Sequence, residues 1–174
     1  PRIGIDVGGV ISLTEYADHN NPLDPDQWHL SCSSATENCV PSIKRIVELF
    51  GQENVFIVSK AGPKMEAKIR VFLFETLDLP ANTGLLKKNV FFVTERTGPK
   101  GKGPIARKLR LTHFIDDHDE CLKTVYNGVH DEGCSDFIRN VNGVLLHFKK
   151  GGKSGAVPRP DQWTRTNRPR YCVP

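Results

Sequence analysis

Near its N-terminus the chain runs Arg2-Ile3-Gly4-Ile5-Asp6-Val7-Gly8-Gly9-Val10-Ile11, a short apolar stretch that ends in a carboxylate and a glycine turn. The arrangement returns in Leu111-Thr112-His113-Phe114-Ile115-Asp116-Asp117, which again ends in carboxylates. Strands this apolar are buried on both faces, the situation of a parallel sheet covered by helices. In such a sheet ligands bind outside the carboxyl ends of the strands, so Asp6, Asp116 and Asp117 are expected to converge on one site. Two carboxylates about 4 Å apart repel by roughly 4 kcal/mol at an effective dielectric near 20. Such a cluster points to a bound divalent cation.

The rest of the chain supplies the other layers of that fold. Ser42 is placed to cap a helix whose apolar residues Ile43, Ile46, Val47 and Phe50 share one face, with Gly51 ending it. Asn54 to Ser59 reads as a buried strand. A second helix is expected from about Pro63, a favourable first-turn residue, to about Leu77. Val90 to Val93 is a third strand, and a short helix spans roughly Pro104 to Arg110. The strand ending at Asp116 and Asp117 is followed by a short helix, Glu120 to Tyr126, and a last strand, Gly143 to Phe148. Strands alternating with helices give an α/β class with a parallel sheet and helices on both faces.

At 174 residues the chain is expected to form one α/β domain over residues 1–150. Residues 12–40 are polar and irregular and read as a long loop or flap. Residues 151–174 form a Gly-, Pro- and Arg-rich tail, expected to be disordered or draped over the surface. From Lys149 onward seven basic residues face Asp161 alone, a balance of +6, which leaves −2 of the net +4 for the preceding 148 residues. The basic character therefore belongs to the tail, where it suits contact with a polyanion.

An apolar fraction of 38% and a charged fraction of 25% read as a soluble, globular chain. No apolar run approaches the roughly 20 residues of a membrane helix, and the first residues read as a strand rather than a signal peptide. Five cysteines without a C-x-x-C pair read as reduced thiols, and a cytoplasmic location is expected.

Four pieces carrying chemistry then follow in chain order. Asp6 ends the first strand, Ser59 ends the second, Lys102 opens the short helix, and Asp116 and Asp117 end the fourth strand. A strand-end acid suits a nucleophile, a small hydroxyl a phosphate oxygen, and a lysine the charge developing on a transferring group. The acid pair suits a hard cation such as Mg²⁺, which takes oxygen ligands. Lys60 and Lys100 compete with Lys102 for the lysine role, and His118 follows the acid pair closely enough to reach the site.

This set resembles the haloacid dehalogenase-like (HAD) hydrolase superfamily. Its pattern is a strand ending Asp-x-Asp-Gly-Thr/Val, a strand ending in Thr or Ser, a Lys, and a strand ending Asp-Asp or Gly-Asp. Asp6-Val7-Gly8-Gly9-Val10, Val58-Ser59, Lys102-Gly103-Pro104 and Phe114-Ile115-Asp116-Asp117 occupy those places. The resemblance implies a Rossmann-like HAD fold, a Mg²⁺ cofactor and a phosphatase or phosphotransferase acting on a phosphorylated small molecule or macromolecule. Asp6 would form an aspartyl-phosphate. Ser59 and Lys102 would bind phosphoryl oxygens, with Gly8, Gly9 and Lys60 lining the phosphate. Asp6, the Gly8 carbonyl, and Asp116 or Asp117 would hold Mg²⁺, with Glu120 orienting it.

There are two departures from the pattern. The second Asp of the first motif, the family's general acid and base, is Gly8 here. Only about 30 residues separate the first two motifs, which implies a minimal or absent cap. Gly8 also supports the alternative of a non-catalytic HAD-fold binding module that has lost turnover.

Overall fold

A computed structural model describes residues 1–12, 35–96, 100–118, 121, 122, 125, 144–147 and 164–165. Its strands are β1 (Ile3–Ile5), β2 (Val55–Lys60), β3 (Val90–Val93), β4 (His113–Asp116), β5 (Val144–His147) and β6 (Thr164–Arg165). The helices are α1 (Cys39–Phe50), α2 (Pro63–Val71), α3 (Leu79–Thr83) and α4 (Lys102–Lys108), with α2 prolonged by a π-helical turn over Phe72–Thr76.

The strands lie in the order β3-β2-β1-β4-β5-β6. The first four contacts along this order are parallel, and β6 closes the edge of β5 antiparallel. The chain builds outward from β1 through β2 to β3, then crosses back to place β4 on the other side of β1. The carboxyl ends of β1 and β4 thus flank the topological switch point, where open α/β sheets bind ligands. The register sets Ile5 beside Ile115, and the Asp6 N–H donates to the Ile115 carbonyl at 3.0 Å. Asp6 and Asp116 follow at the same level.

Strand alternation sorts the core into two layers. Ile3, Ile5, Val55, Ile57 and Ile115 pack with Ile43 and Val47 of α1, Ile69 of α2 and Leu79 of α3. Phe56, Val58 and Phe114 pack on the opposite face with Ala106 of α4, Leu122 and Val125. Gly4 lies on that second face, and a Cβ there would stand 2.7 Å from Leu111 and the Phe114 ring. The missing side chain in β1 is what lets Phe114 lie against the strand.

Several boundaries differ from the sequence expectation. The α1 helix starts at Cys39, one turn before the helix expected to be capped by Ser42, because Cys39 adds a buried residue to the Cys39-Ile43-Val47 stripe. The 12–40 segment therefore gives up its last two residues to α1; residues 13–34, on which the expectation of a flap and no cap rests, lie outside the described residues. The α4 helix is shifted toward Lys102. Within the tail, Thr164–Arg165 pairs with the open edge of β5 instead of draping free. The rest of the tail, including the expected polyanion contact, lies outside the described residues. Of the expected helix 120–126, Cys121, Leu122 and Val125 are helical and buried. Among the described residues no helix is long and apolar enough to cross a membrane.

Candidate functional site

The centre of the site is a buried lysine between two buried carboxylates. Asp6 follows β1 and Asp116 ends β4, and alternation turns both toward the face covered by α4. Lys102, the first residue of α4, reaches between them: its Nζ lies 2.8 Å from Asp6 Oδ2 and 2.7 Å from Asp116 Oδ2. Lys102 is 2% exposed, Asp6 4% and Asp116 0%. Charges so desolvated persist only when paired, which makes this arrangement different in kind from a surface ion pair.

Backbone groups hold the remaining oxygens. The Val7 N–H donates to Asp6 Oδ1 and the His118 N–H to Asp116 Oδ1, each at 2.8 Å. The loop that carries Asp6 is itself fixed, since the N–H groups of Val10, Ile11 and Ser12 all converge on the Val7 carbonyl. Thr36 ties that loop to the start of α1, its Oγ1 donating to the Val10 carbonyl at 2.7 Å. The two carboxylates therefore sit on rigid elements.

Asp117 completes the acid cluster. Each of Asp6, Asp116 and Asp117 offers a carboxylate oxygen, all within 4.8 Å of one another. Gly9 makes this possible. It adopts φ +74°, and a Cβ at this position would collide with the Asp117 carboxylate. Any other residue would be strained at that φ and would displace the acid. The other carboxylate oxygen has the His118 Nε2 at 3.8 Å from Asp117 Oδ1.

The electrostatics follow from burial. Desolvation raises the Asp116 carboxyl to about 7, with the Asp6 charge adding to the rise and Lys102 opposing it. Burial alone would pull Lys102 down, but Asp6 and then Asp116 together outweigh it and hold the ammonium above the ordinary lysine range. Three carboxylates and one ammonium leave a formal excess of two negative charges in the cluster.

The structure thus brings Asp6, Lys102, Asp116 and Asp117 together, whereas Lys60 and Lys100 are exposed. Gly9 abuts Asp117, and Gly8 is half-buried in the same loop, bridged to Ser12. Ser59 is buried at the end of β2, but the register sets it one residue beyond the level of Asp6. Alternation gives it the opposite face from Asp6 and Asp116, so it shares the sheet end and not their face. Lys60 ends β2 on the surface. Glu120 lies outside the described residues.

Sequence reasoning missed Cys121. This fully buried free thiol is pushed up to about 12, by burial first and then by the charge of Asp116. It is a neutral lining group rather than a thiolate. Its signal was its position just after the acid pair, where the chain leaves β4.

Comparison with protein-family models, with curated proteins and with solved structures finds no match to this chain.

Proposed function

We propose that this chain is a HAD-like, Mg²⁺-dependent phosphoryl hydrolase or transferase that works through an aspartyl-phosphate at Asp6. The observation that carries the reading is the Lys102 ammonium held between Asp6 and Asp116 at the switch point of a parallel sheet. An anchored carboxylate beside a permanent positive charge suits attack on a phosphorus whose oxygens gain charge in the transition state.

The donor set fits the cation. It is all oxygen, it carries two negative charges in excess of Lys102, and its three carboxylates lie within one coordination span. Asp6, Asp116 and Asp117 would hold Mg²⁺, with the Gly8 carbonyl as a further ligand. When bound, Mg²⁺ supplies Lewis-acid polarisation of a phosphoryl oxygen and charge neutralisation.

The protein's own groups perform the rest. The Val7 N–H fixes the Asp6 carboxylate against rotation, and Lys102 neutralises an equatorial phosphoryl oxygen while holding Asp6 in line. The His118 N–H does for Asp116 what the Val7 N–H does for Asp6. Ser59 and Lys60 close β2 at the same end of the sheet, with Ser59 buried on the opposite face and Lys60 exposed.

The test is hydrolysis of an activated aryl phosphate by the full chain with Mg²⁺. The wild type turns over and Asp6→Asn falls to background. Equal rates in the two would leave a non-catalytic binding module, the alternative that Gly8 favours, and calorimetry with Mg²⁺ would then report the site that remains.

A further inference from the structure

Around the buried cluster the charge runs the other way. Asp6, Asp116 and Asp117 are gathered into the site with Lys102. Outside that cluster the described residues up to His118 carry fourteen basic side chains against seven acidic ones, none of them buried. The positive excess that the sequence places in the tail is therefore also carried by the described surface around the sheet.

Four of these cations stand at the carboxyl end of the sheet, and all four are exposed. Lys60 ends β2 opposite Val93 at the end of β3. The register sets it two residues beyond the level of Asp6, about 7 Å along the strand. Lys64 lies in the first turn of α2, which leaves from the same end. Arg96 and Lys100 belong to the connection from β3 to α4, where Glu95 is the acid among the described residues. Backbone bonds hold this rim to the sheet. The Ala61 N–H donates to the Val93 carbonyl at 2.9 Å, and the Glu95 N–H to the Lys100 carbonyl at 3.4 Å. The Lys102 N–H donates to the Arg96 carbonyl, also at 3.4 Å, so the rim adjoins the residue that reaches between Asp6 and Asp116. The Arg96 charge is felt at Cys121, where it opposes the rise of the thiol.

We propose that this rim binds the phosphate backbone of a single nucleic-acid strand, without regard to its sequence. The cations come from the start of α2, from the strand ends and from the approach to α4, so they form an arc across the sheet end instead of a single point. A phosphorylated side chain offers one such anion, whereas a phosphodiester strand repeats its charge along its length. A membrane-binding surface sets apolar side chains among its cations. The large apolar residues exposed among the described ones, Leu49 and Val71, lie in the last turns of α1 and α2, away from the rim. Lysine and arginine contacts to phosphate position a strand and read no bases. Each contact releases counterions, which for a single strand gives a slope of log affinity against log salt of about −0.7 per contact and about −3 for four.

The experiment is fluorescence anisotropy of the full chain with a labelled oligodeoxythymidylate in chelator, repeated over a range of salt concentrations. It involves no turnover, so its result is independent of the reading of Asp6. The wild type is expected to bind, and the variant combining Lys60→Gln, Lys64→Gln, Arg96→Gln and Lys100→Gln is expected to flatten the salt slope by about 3. Replacing tail lysines instead, with Lys149→Gln, Lys150→Gln and Lys153→Gln, is expected to leave the rim's share of the slope in place. Lys60→Gln and Lys100→Gln taken singly should each flatten the slope by about 0.7, which keeps the test decisive even where the combined variant does not fold. No binding at low salt, a wild-type slope retained by the rim variants, or binding abolished by the tail substitutions alone would overturn the proposal. So would rim-dependent binding to phosphatidylserine vesicles without binding to the oligonucleotide, which would assign the surface to a membrane.

Discussion

Lys102 and Asp116 form an ion pair 2.7 Å long from which water is excluded, with neither side chain more than 2% exposed. They stand at the start of α4 and the end of β4, and Asp6 joins them at 2.8 Å because β4 lies beside β1. Removing one member leaves a buried charge without its partner, which typically costs about 3–5 kcal/mol. Lys102→Met is therefore expected to lose stability of that order in urea unfolding, because both Asp6 and Asp116 are stranded. A loss within about 0.5 kcal/mol, the range of an ordinary surface substitution, would show that the pair is solvated in solution.

Asp116 gives the cation-free protein a characteristic pH dependence. Its carboxyl is raised from 3.8 to about 7, by burial and then by Asp6. A carboxyl raised on folding contributes stability that is present in full below its unfolded value and is lost as pH rises through its folded value. With chelator present, this group's contribution to stability should fall between about pH 4 and about pH 7. Asp116→Asn should flatten that fall. Mg²⁺ should reverse it, stabilising more strongly above neutrality than below. Thermal unfolding across that range checks the sign, and a Mg²⁺ effect that grew toward low pH would contradict it.

The two adjacent glycines are predicted to behave oppositely. Gly9→Ala combines a positive φ with a collision against Asp117, and is expected to cost about 2–4 kcal/mol from backbone strain and overpacking together. Among the described residues Gly8→Ala meets nothing within 4 Å, at a φ outside the left-handed region, and is expected to be neutral or to stabilise by about 0.4–1 kcal/mol through the unfolded state. Denaturant melts of the two variants side by side decide the matter.

Gly4 offers a test of the two-layer core that is independent of the site. A Cβ there meets Leu111 and the Phe114 ring at 2.7 Å, so Gly4→Val is expected to destabilise by about 1–3 kcal/mol or more. Tolerance of valine would mean that Phe114 does not lie against β1.

Most of the sheet was legible because its strands announce themselves by apolar runs bounded by turns. Val90–Val93 coincides with its expected range, and the apolar runs ending in acids mark Asp6 and Asp116 at the ends of β1 and β4. What was not legible depended on geometry that residue types do not encode. Asn38 begins α1 from a left-handed conformation with no side-chain cap bond, whereas Ser42 carries the conventional capping chemistry and lies inside the helix. The five-residue α3 was missed because Pro80 reads as a breaker, although the first turn of a helix tolerates it. Ser59 had the right residue type at a strand end, but the register of β2 against β1 decides which face it joins. The two residues of β6 carry no pattern at all; they are a strand because β5 leaves an edge open.

In the proposed site, Asp6, Lys102 and the Asp116–Asp117 pair act together as a cation-assisted phosphoryl centre. A crystal structure of the full chain grown with Mg²⁺ and fluoroberyllate tests it most directly. The expected result is a beryllium fluoride group bonded to the Asp6 carboxylate, Lys102 in contact with a fluorine, and Mg²⁺ coordinated by Asp6 together with Asp116 or Asp117. Beryllium fluoride and Mg²⁺ present in the crystal but bound away from Asp6, with Lys102 still locked between the two carboxylates, would contradict it.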